Sequence, residues 1–148
     1  WIGDGCNMCN SYINAAKILN FKLKIATPSG FEPDHKTLML AKDNVELCDL
    51  PGQAVEDSDL VTTDVWTSMG DESESEKRKQ LFKGYQINQN LFDKAKSDAI
   101  FLHCLPAHRG EEVDSDVIDG PRSRVWQQAH NRLFTSKALI EFLLNESK

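Results

Sequence analysis

The residues best placed to do chemistry stand at the end of an apolar run, where Ala99-Ile100-Phe101-Leu102 leads directly into His103-Cys104-Leu105-Pro106. Such a run reads as a strand buried on both faces of a parallel sheet. Ligands of open α/β folds gather in the crevice outside the carboxyl ends of these strands. An imidazole and a thiol at that end are therefore well placed to react. Pro106 ends the strand because it has no N–H to give to a ladder. A thiolate activated by its neighbouring imidazole is the first chemistry these types suggest, but geometry opposes it. Successive strand residues face opposite sides of the sheet, and a cysteine hydrolase usually draws its histidine from a distant part of the chain. The plain alternative is a buried cysteine beside a hydrogen-bonded histidine.

A second group is Asp64-Val65-Trp66-Thr67-Ser68-Met69-Gly70, where a carboxylate leaves the β-branched run Asp59-Leu60-Val61-Thr62-Thr63. Asp64 is suited to hold an ammonium by a charge-assisted bond. The Ser68 hydroxyl and the backbone N–H groups near Met69 suit a carboxylate, so the pair fits a zwitterionic amino-acid head. Gly70 and the polar residues after it read as a lid; the competing reading is a loop with an N-cap serine. The acidic stretch Asp71 to Glu76, followed by Lys77-Arg78-Lys79, reads as a solvated helix start that complements the helix dipole.

Gly3-Asp4-Gly5-Cys6-Asn7 follows a strand end but lacks the third glycine of a dinucleotide fingerprint, because Met8 stands in its place. Cys6-Asn7-Met8-Cys9 has the spacing of a redox pair at a helix start. Zinc would need a second ligand pair that Cys48 and Cys104 do not supply at the usual spacing. Neither metal nor cofactor is expected. Asn7 can aim its amide at a ligand from a strand-to-helix turn. Arg132, in His130-Asn131-Arg132, has a planar fork suited to a carbonyl or phosphate oxygen, although a lone arginine is more often a surface residue.

Alternating strand and helix patterns must position these groups, which argues for βαβ units. Strands are expected to end at Trp1-Ile2 and to run over 21–26, 45–48, 59–64, 99–103 and 124–126. Helices are expected over 8–19, 34–42, 51–57, 74–83, 88–95 and 128–144. The resulting class is α/β, a three-layer doubly wound Rossmann-like domain with a parallel sheet of about five strands flanked by helices. Apolar positions of the last helix, among them Leu133, Ile140 and Phe142, spread beyond one stripe and call for more partner surface.

The chain has 148 residues, enough for one domain that buries roughly two-thirds of its unfolded surface. Its net charge is −6 and it has no basic stripe, which argues against nucleic acid or an anionic membrane as partner. No apolar run approaches the ~20 residues of a membrane span, and no signal peptide is expected. Four cysteines in such a chain are read as free thiols of a cytoplasmic protein. Opening on Trp1 without a methionine, the chain reads as a piece of a longer one.

Taken in order, Gly3-Asp4-Gly5-Cys6-Asn7, Asp64 with Ser68-Met69-Gly70, His103-Cys104-Leu105-Pro106 and Asn131-Arg132 resemble the ornithine carbamoyltransferases over essentially the whole chain. The likeness is to their carboxyl-terminal, ornithine-binding domain, so 1–148 is expected to be a single such domain. Aspartate carbamoyltransferases are similar in fold but carry proline where Cys104 stands. The resemblance implies a reaction of carbamoyl phosphate with L-ornithine to give L-citrulline and phosphate, within arginine biosynthesis. It implies that Asn7 binds the α-carboxylate of ornithine, and that Asp64 with Ser68 binds its α-amino group. The Met69 backbone completes that clamp. Cys104 would lie near the attacking δ-amine, the carbonyls of Cys104 and Leu105 would receive the carbamoyl NH2, and Leu105-Pro106 would be cis. Arg132 would contact the carbamoyl phosphate oxygen. The catalytic set it implies is Cys104, Asp64 and Arg132.

The implied chemistry is acyl transfer without a covalent enzyme intermediate. An amine with a pKa of ~10.4 must lose its proton before it attacks, and Asp64 and Cys104 are the candidates to favour the neutral form. Cys6 stands where the family commonly has asparagine. The family's phosphate-binding Ser-Thr-Arg-Thr run and its His-x-x-Gln belong to the amino-terminal carbamoyl-phosphate domain and are not in this sequence, so the chain alone is expected to be inactive. A homotrimer is expected of the full-length family. Two other readings stand beside this one: a non-catalytic amino-acid-binding module of the same fold, and a thiol-redox protein using Cys6 and Cys9.

Overall fold

Extended backbone forms where the apolar runs predict it, and the pairing of those runs decides where the site falls. The structure is a computed structural model that describes residues 1–67 and 75–146. Its strands are β1 (Leu23–Ile25), β2 (Val45–Leu47), β3 (Leu60–Thr63) and β4 (Ile100–His103). They form two pairs, β1 with β2 and β3 with β4, both parallel. Residues 1–3 join the two pairs. The Ile2 N–H donates to the Thr62 carbonyl at 3.1 Å, and the Ala26 N–H donates to the Trp1 carbonyl at 3.0 Å. At the far edge, the Phe101 N–H donates to Arg122 and the Arg124 N–H donates to Phe101.

Across the sheet the order is therefore β2, β1, residues 1–3, β3, β4 and residues 122–124. In chain order this runs third, second, first, fourth, fifth, sixth. That is the doubly wound arrangement, whose order reverses between the first segment and β3 and opens a crevice there. The expected class is thus observed. The strand expected at 124–126 is not: Val125 begins the last helix, and the extended residues are 122–124. A β-branched and an aromatic residue mimic strand propensity there, but Val125 is buried as the helix's first residue while Trp126 is exposed.

The helices are α1 (Asn7–Leu19), α2 (His35–Leu40), α3 (Pro51–Val55), α4 (Ser75–Phe82), α5 (Gln89–Phe92), α6 (Ser115–Ile118) and α7 (Val125–Glu146), with a 3-10 turn at Lys83–Tyr85. Strand alternation sorts the core into two layers. Ile2, Ala26, Val61 and Phe101 face Val55 of α3, Phe92 of α5 and Val117 of α6. Trp1, Leu23 and Ile25 face Cys9, Ile13 and Ala16 of α1. Burying a side chain such as Phe101, which is fully enclosed, contributes ~1.5–3 kcal/mol.

The long helix α7 is different. Only Val125 of it is buried, and Leu133, Phe134, Ile140, Phe142 and Leu144 are each more than half exposed. No helix among the described residues is long and apolar enough to cross a membrane.

Candidate functional site

Three chain segments leave the carboxyl edge of the sheet beside the order reversal, and parallel register brings them together. Thr63 lies opposite His103, so the residues that follow, Asp64 and Cys104, meet across the pair. The Cys104 Sγ donates to Asp64 Oδ1 at 3.0 Å, and the Val65 N–H donates to the same oxygen at 2.7 Å. Burial, reinforced by the hydrogen bond and charge of Asp64, pushes the Cys104 thiol up to about 12. The neutral thiol form of Cys104 is therefore favoured, and it donates a hydrogen bond to a carboxylate. This removes the thiolate-nucleophile reading, since the thiolate is the reactive form.

The third segment is the turn from residues 1–3 into α1, and its glycines are required by packing. A Cβ on Gly5 would stand 2.3 Å from the Pro33 nitrogen, and one on Gly3, at φ +127°, would stand 3.0 Å from Thr63 Oγ1. The two glycines thus press the turn against β3 and the 31–33 loop. Asn7 opens α1 and is exposed at its amino end. Cys6, just before it, is raised by burial and by the charges of Asp4 and Asp64, which places the turn within electrostatic reach of Asp64. Cys9 is fully buried and is pushed up to about 12. Redox cysteines are exposed and of low pKa, so the Cys6/Cys9 redox reading has no support in this geometry.

Leu105 adopts φ +57° and its bond to Pro106 is cis, as the resemblance implied. For a side-chain-bearing residue the left-handed region costs ~1–2 kcal/mol. The loop is held there by its own partners. The Leu105 N–H donates to His103 Nδ1 at 2.9 Å, and the His103 N–H donates to Gln128 Oε1 at 3.0 Å. Among the described residues the carbonyls of Cys104 and Leu105 accept no hydrogen bond, which leaves two backbone acceptors for a ligand's N–H groups. Gln128 fixes one face of α7 to this loop, and Arg132 lies one turn further along that face. Arg132 lines an open groove of about 750 Å³ between α7 and β4, together with Ile100, Leu102 and Gln128.

Ser68 and Met69 lie outside the described residues, so the structure brings together Asp64, Cys104 and Leu105, with Asn7 at the neighbouring turn. Three contributors escaped the sequence reading. Glu112 is fully buried, and its Oε1 accepts the His108 N–H at 2.6 Å. Gln128 is a helix residue 25 positions beyond its partner. Arg78, read as part of a solvated charge run, instead has a side chain only 14% exposed and paired with Asp4. Its Nε donates to the Trp66 carbonyl at 2.6 Å, and its guanidinium lies 4.7 Å from the centre of the Phe31 ring. The only sequence signal for Arg78 was its place in a helix with few apolar residues.

The arrangement offers an anionic acceptor, a thiol donor and a pair of open carbonyls around one crevice. Comparison with known proteins places the chain in a family. Residues 1–143 match the family model described as the Asp/Orn binding domain of aspartate/ornithine carbamoyltransferase. The ornithine carbamoyltransferase of Nitrosococcus oceani is 57% identical over 144 residues, covering 97% of this chain and 47% of that protein. That of Chromohalobacter salexigens is 54% identical with the same coverage. Among solved structures, the ornithine carbamoyltransferase of Burkholderia thailandensis superposes with a TM-score of 0.86 at 46% identity, covering 97% of this chain and 46% of that one. The anabolic enzyme of Campylobacter jejuni reaches 0.92 at 37% identity, covering 98% and 50%. The chain thus spans about half the length of the relatives it matches.

Proposed function

Because the chain belongs to the aspartate/ornithine carbamoyltransferase family through its Asp/Orn-binding domain, we propose that it is the ornithine-binding half of an ornithine carbamoyltransferase. The observation that carries the choice of ornithine is the Cys104–Asp64 pair at 3.0 Å. The half-buried thiol is neutral and lies against the Asp64 carboxylate, so a side-chain amine can sit beside it, whereas the side-chain carboxylate of aspartate would meet the charge of Asp64. In this reading Asp64 and Ser68 hold the α-ammonium, while Asn7 and the Met69 backbone hold the α-carboxylate. Cys104 lies beside the δ-amine.

The reaction proceeds by direct attack. The neutral δ-nitrogen forms a bond to the carbamoyl carbon, the C–O bond to phosphate breaks, phosphate leaves with the electron pair, and the surplus proton of the nitrogen passes to the departing phosphate. The carbonyls of Cys104 and Leu105 accept the carbamoyl N–H groups, and Arg132 steadies the negative oxygen. Most of the rate then comes from orientation and electrostatic stabilisation. No metal or cofactor is required by this scheme.

The groups that bind the phosphate belong to the half of the relatives' length that this chain does not span, which makes the chain inactive by itself. The apolar surface of α7 is the part that the other half would cover, and trimer formation belongs to the joined protein. Reduced Cys6, Cys9, Cys48 and Cys104 suit a cytoplasmic setting.

The test joins this chain to the amino-terminal half of a relative and supplies carbamoyl phosphate with either ornithine or aspartate. Citrulline from ornithine and no carbamoylaspartate is the expected outcome. Carbamoylation of aspartate, or ornithine binding without any product, would replace the reading with an aspartate enzyme or a binding module.

A further inference from the structure

The buried pair His103 and Glu112 has no substrate contact in the function proposed above, yet His103 holds the Leu105 N–H and Glu112 holds the His108 N–H, within and just after the loop that cradles the carbamoyl group. We propose that His103 and Glu112 are positioning residues that set the direction of the Cys104 and Leu105 carbonyls; this rests on the function proposed above. His103 is the last residue of β4 and is almost wholly enclosed. Its Nδ1 accepts the Leu105 N–H. A backbone N–H can only donate, so Nδ1 carries a lone pair and the ring proton sits on Nε2.

That nitrogen lies 3.3 Å from Glu112 Oε1, with both side chains fully buried. The contact is longer and less well aligned than an ordinary N–H···O bond. The same oxygen accepts the His108 N–H at 2.6 Å. One carboxylate oxygen therefore lies against the ring of the residue before the loop and is bonded to the residue after it, while Gln128 holds the His103 backbone from α7. An apolar side chain would fill the place of Glu112 at a lower desolvation cost. It could not connect the two loop ends or fix the tautomer of His103.

Leu105 has a left-handed backbone, and its N–H is the donor captured by His103. Loss of that acceptor frees the peptide units on either side of Leu105 to rotate. Misplacing reacting groups by about 1 Å can cost ~100-fold in rate, so the effect should fall on kcat while the ornithine contacts at Asp64 and Asn7 persist.

The experiment uses the joined two-half protein and compares acceptor-keeping with acceptor-removing changes. In His103→Asn the side-chain oxygen can still accept the N–H two residues on, as in an Asx turn. In His103→Leu it cannot. Likewise Glu112→Gln keeps a carbonyl oxygen for His108, and Glu112→Leu does not. The expected result is a kcat loss of about 100-fold for both leucine variants with ornithine KM within about threefold, and recovery to within about tenfold of the parent in the His103→Asn and Glu112→Gln variants.

A second measurement, nitrogen NMR of the His103 ring in the parent joined protein, should show a lone pair on Nδ1 and a proton on Nε2. Equal kcat losses in the leucine and amide variants, a loss confined to KM, or a proton on Nδ1 would each overturn the proposal. If a leucine variant does not fold, the ring tautomer and the amide variants decide alone. A parent joined protein that makes no citrulline defeats the function proposed above, whereas the tautomer still reports on the bracing itself.

Discussion

Beyond β3 the chain presents a charge, and beyond β4 it presents a shape. Asp64 leaves β3 with its carboxylate bonded to a thiol across the sheet and to one backbone N–H. Its value in the proposed reaction lies in being anionic. His103 leaves β4 with Nδ1 of its ring holding the Leu105 N–H, its backbone held from α7, and Glu112 beside its ring. Adjacent parallel strands thus feed one crevice by different means. The difference implies that an isosteric neutral residue should be ruinous at one end and tolerable at the other.

The sharpest break of this comparison uses the reactivity of Cys104. With its thiol pushed from 9.0 to about 12, the thiolate at pH 8 is about a thousandfold scarcer than for an unperturbed cysteine. Alkylation of Cys104 by iodoacetamide should be slower by that order, and its rate should climb tenfold per pH unit well beyond pH 9. Asp64→Asn removes a charge and a carboxylate bond that both favour the thiol, so alkylation should accelerate. Mass spectrometry of the labelled peptide measures both rates.

Next in size, Asp64→Asn in the joined protein should lower kcat/KM for ornithine by about 10- to 100-fold, because a hydrogen bond to a charged group is worth ~1.5–3 kcal/mol and Asp64 would make one to the α-ammonium. Steady-state citrulline formation measures it. If Asp64→Asn were as well tolerated as the amide changes near β4, the contrast between charge and shape would collapse. Gly5→Ala should then destabilise the fold by about 1–3 kcal/mol, because its Cβ would meet the Pro33 backbone at 2.3 Å; a thermal melt reports the loss. Cys104→Ser should be the mildest, about tenfold in kcat, since a hydroxyl can still donate to Asp64.

How much of this was legible in the sequence follows the same divide. Asp64 and Cys104 end apolar runs, and parallel register alone makes consecutive strand ends meet, so their pairing could be read from pattern. The α/β class followed from the alternation of strands and helices, whereas the order of the strands came only with their hydrogen bonds. The bracing of the β4 loop could not be read, because Glu112 and Gln128 reach it from 9 and 25 positions away, and neither carries a local signal. Arg78 was misread because a charged helix face looks solvated until Asp4 and Phe31 are seen against it. The strand expected at 124–126 failed because Val-Trp carries strand propensity, whereas burial of Val125 alone is satisfied by a helix start. The exposed apolar length of α7 was anticipated from its lack of a single stripe, and the structure leaves it open.

The central claim is that this chain supplies half of a carbamoyl-transfer site. It is tested most directly by measuring citrulline formation by the 148-residue chain alone and by the same chain joined to a relative's amino-terminal half, with carbamoyl phosphate and ornithine present in both. The account predicts no product from the chain alone and sustained turnover from the joined protein. Turnover by the chain alone would contradict it.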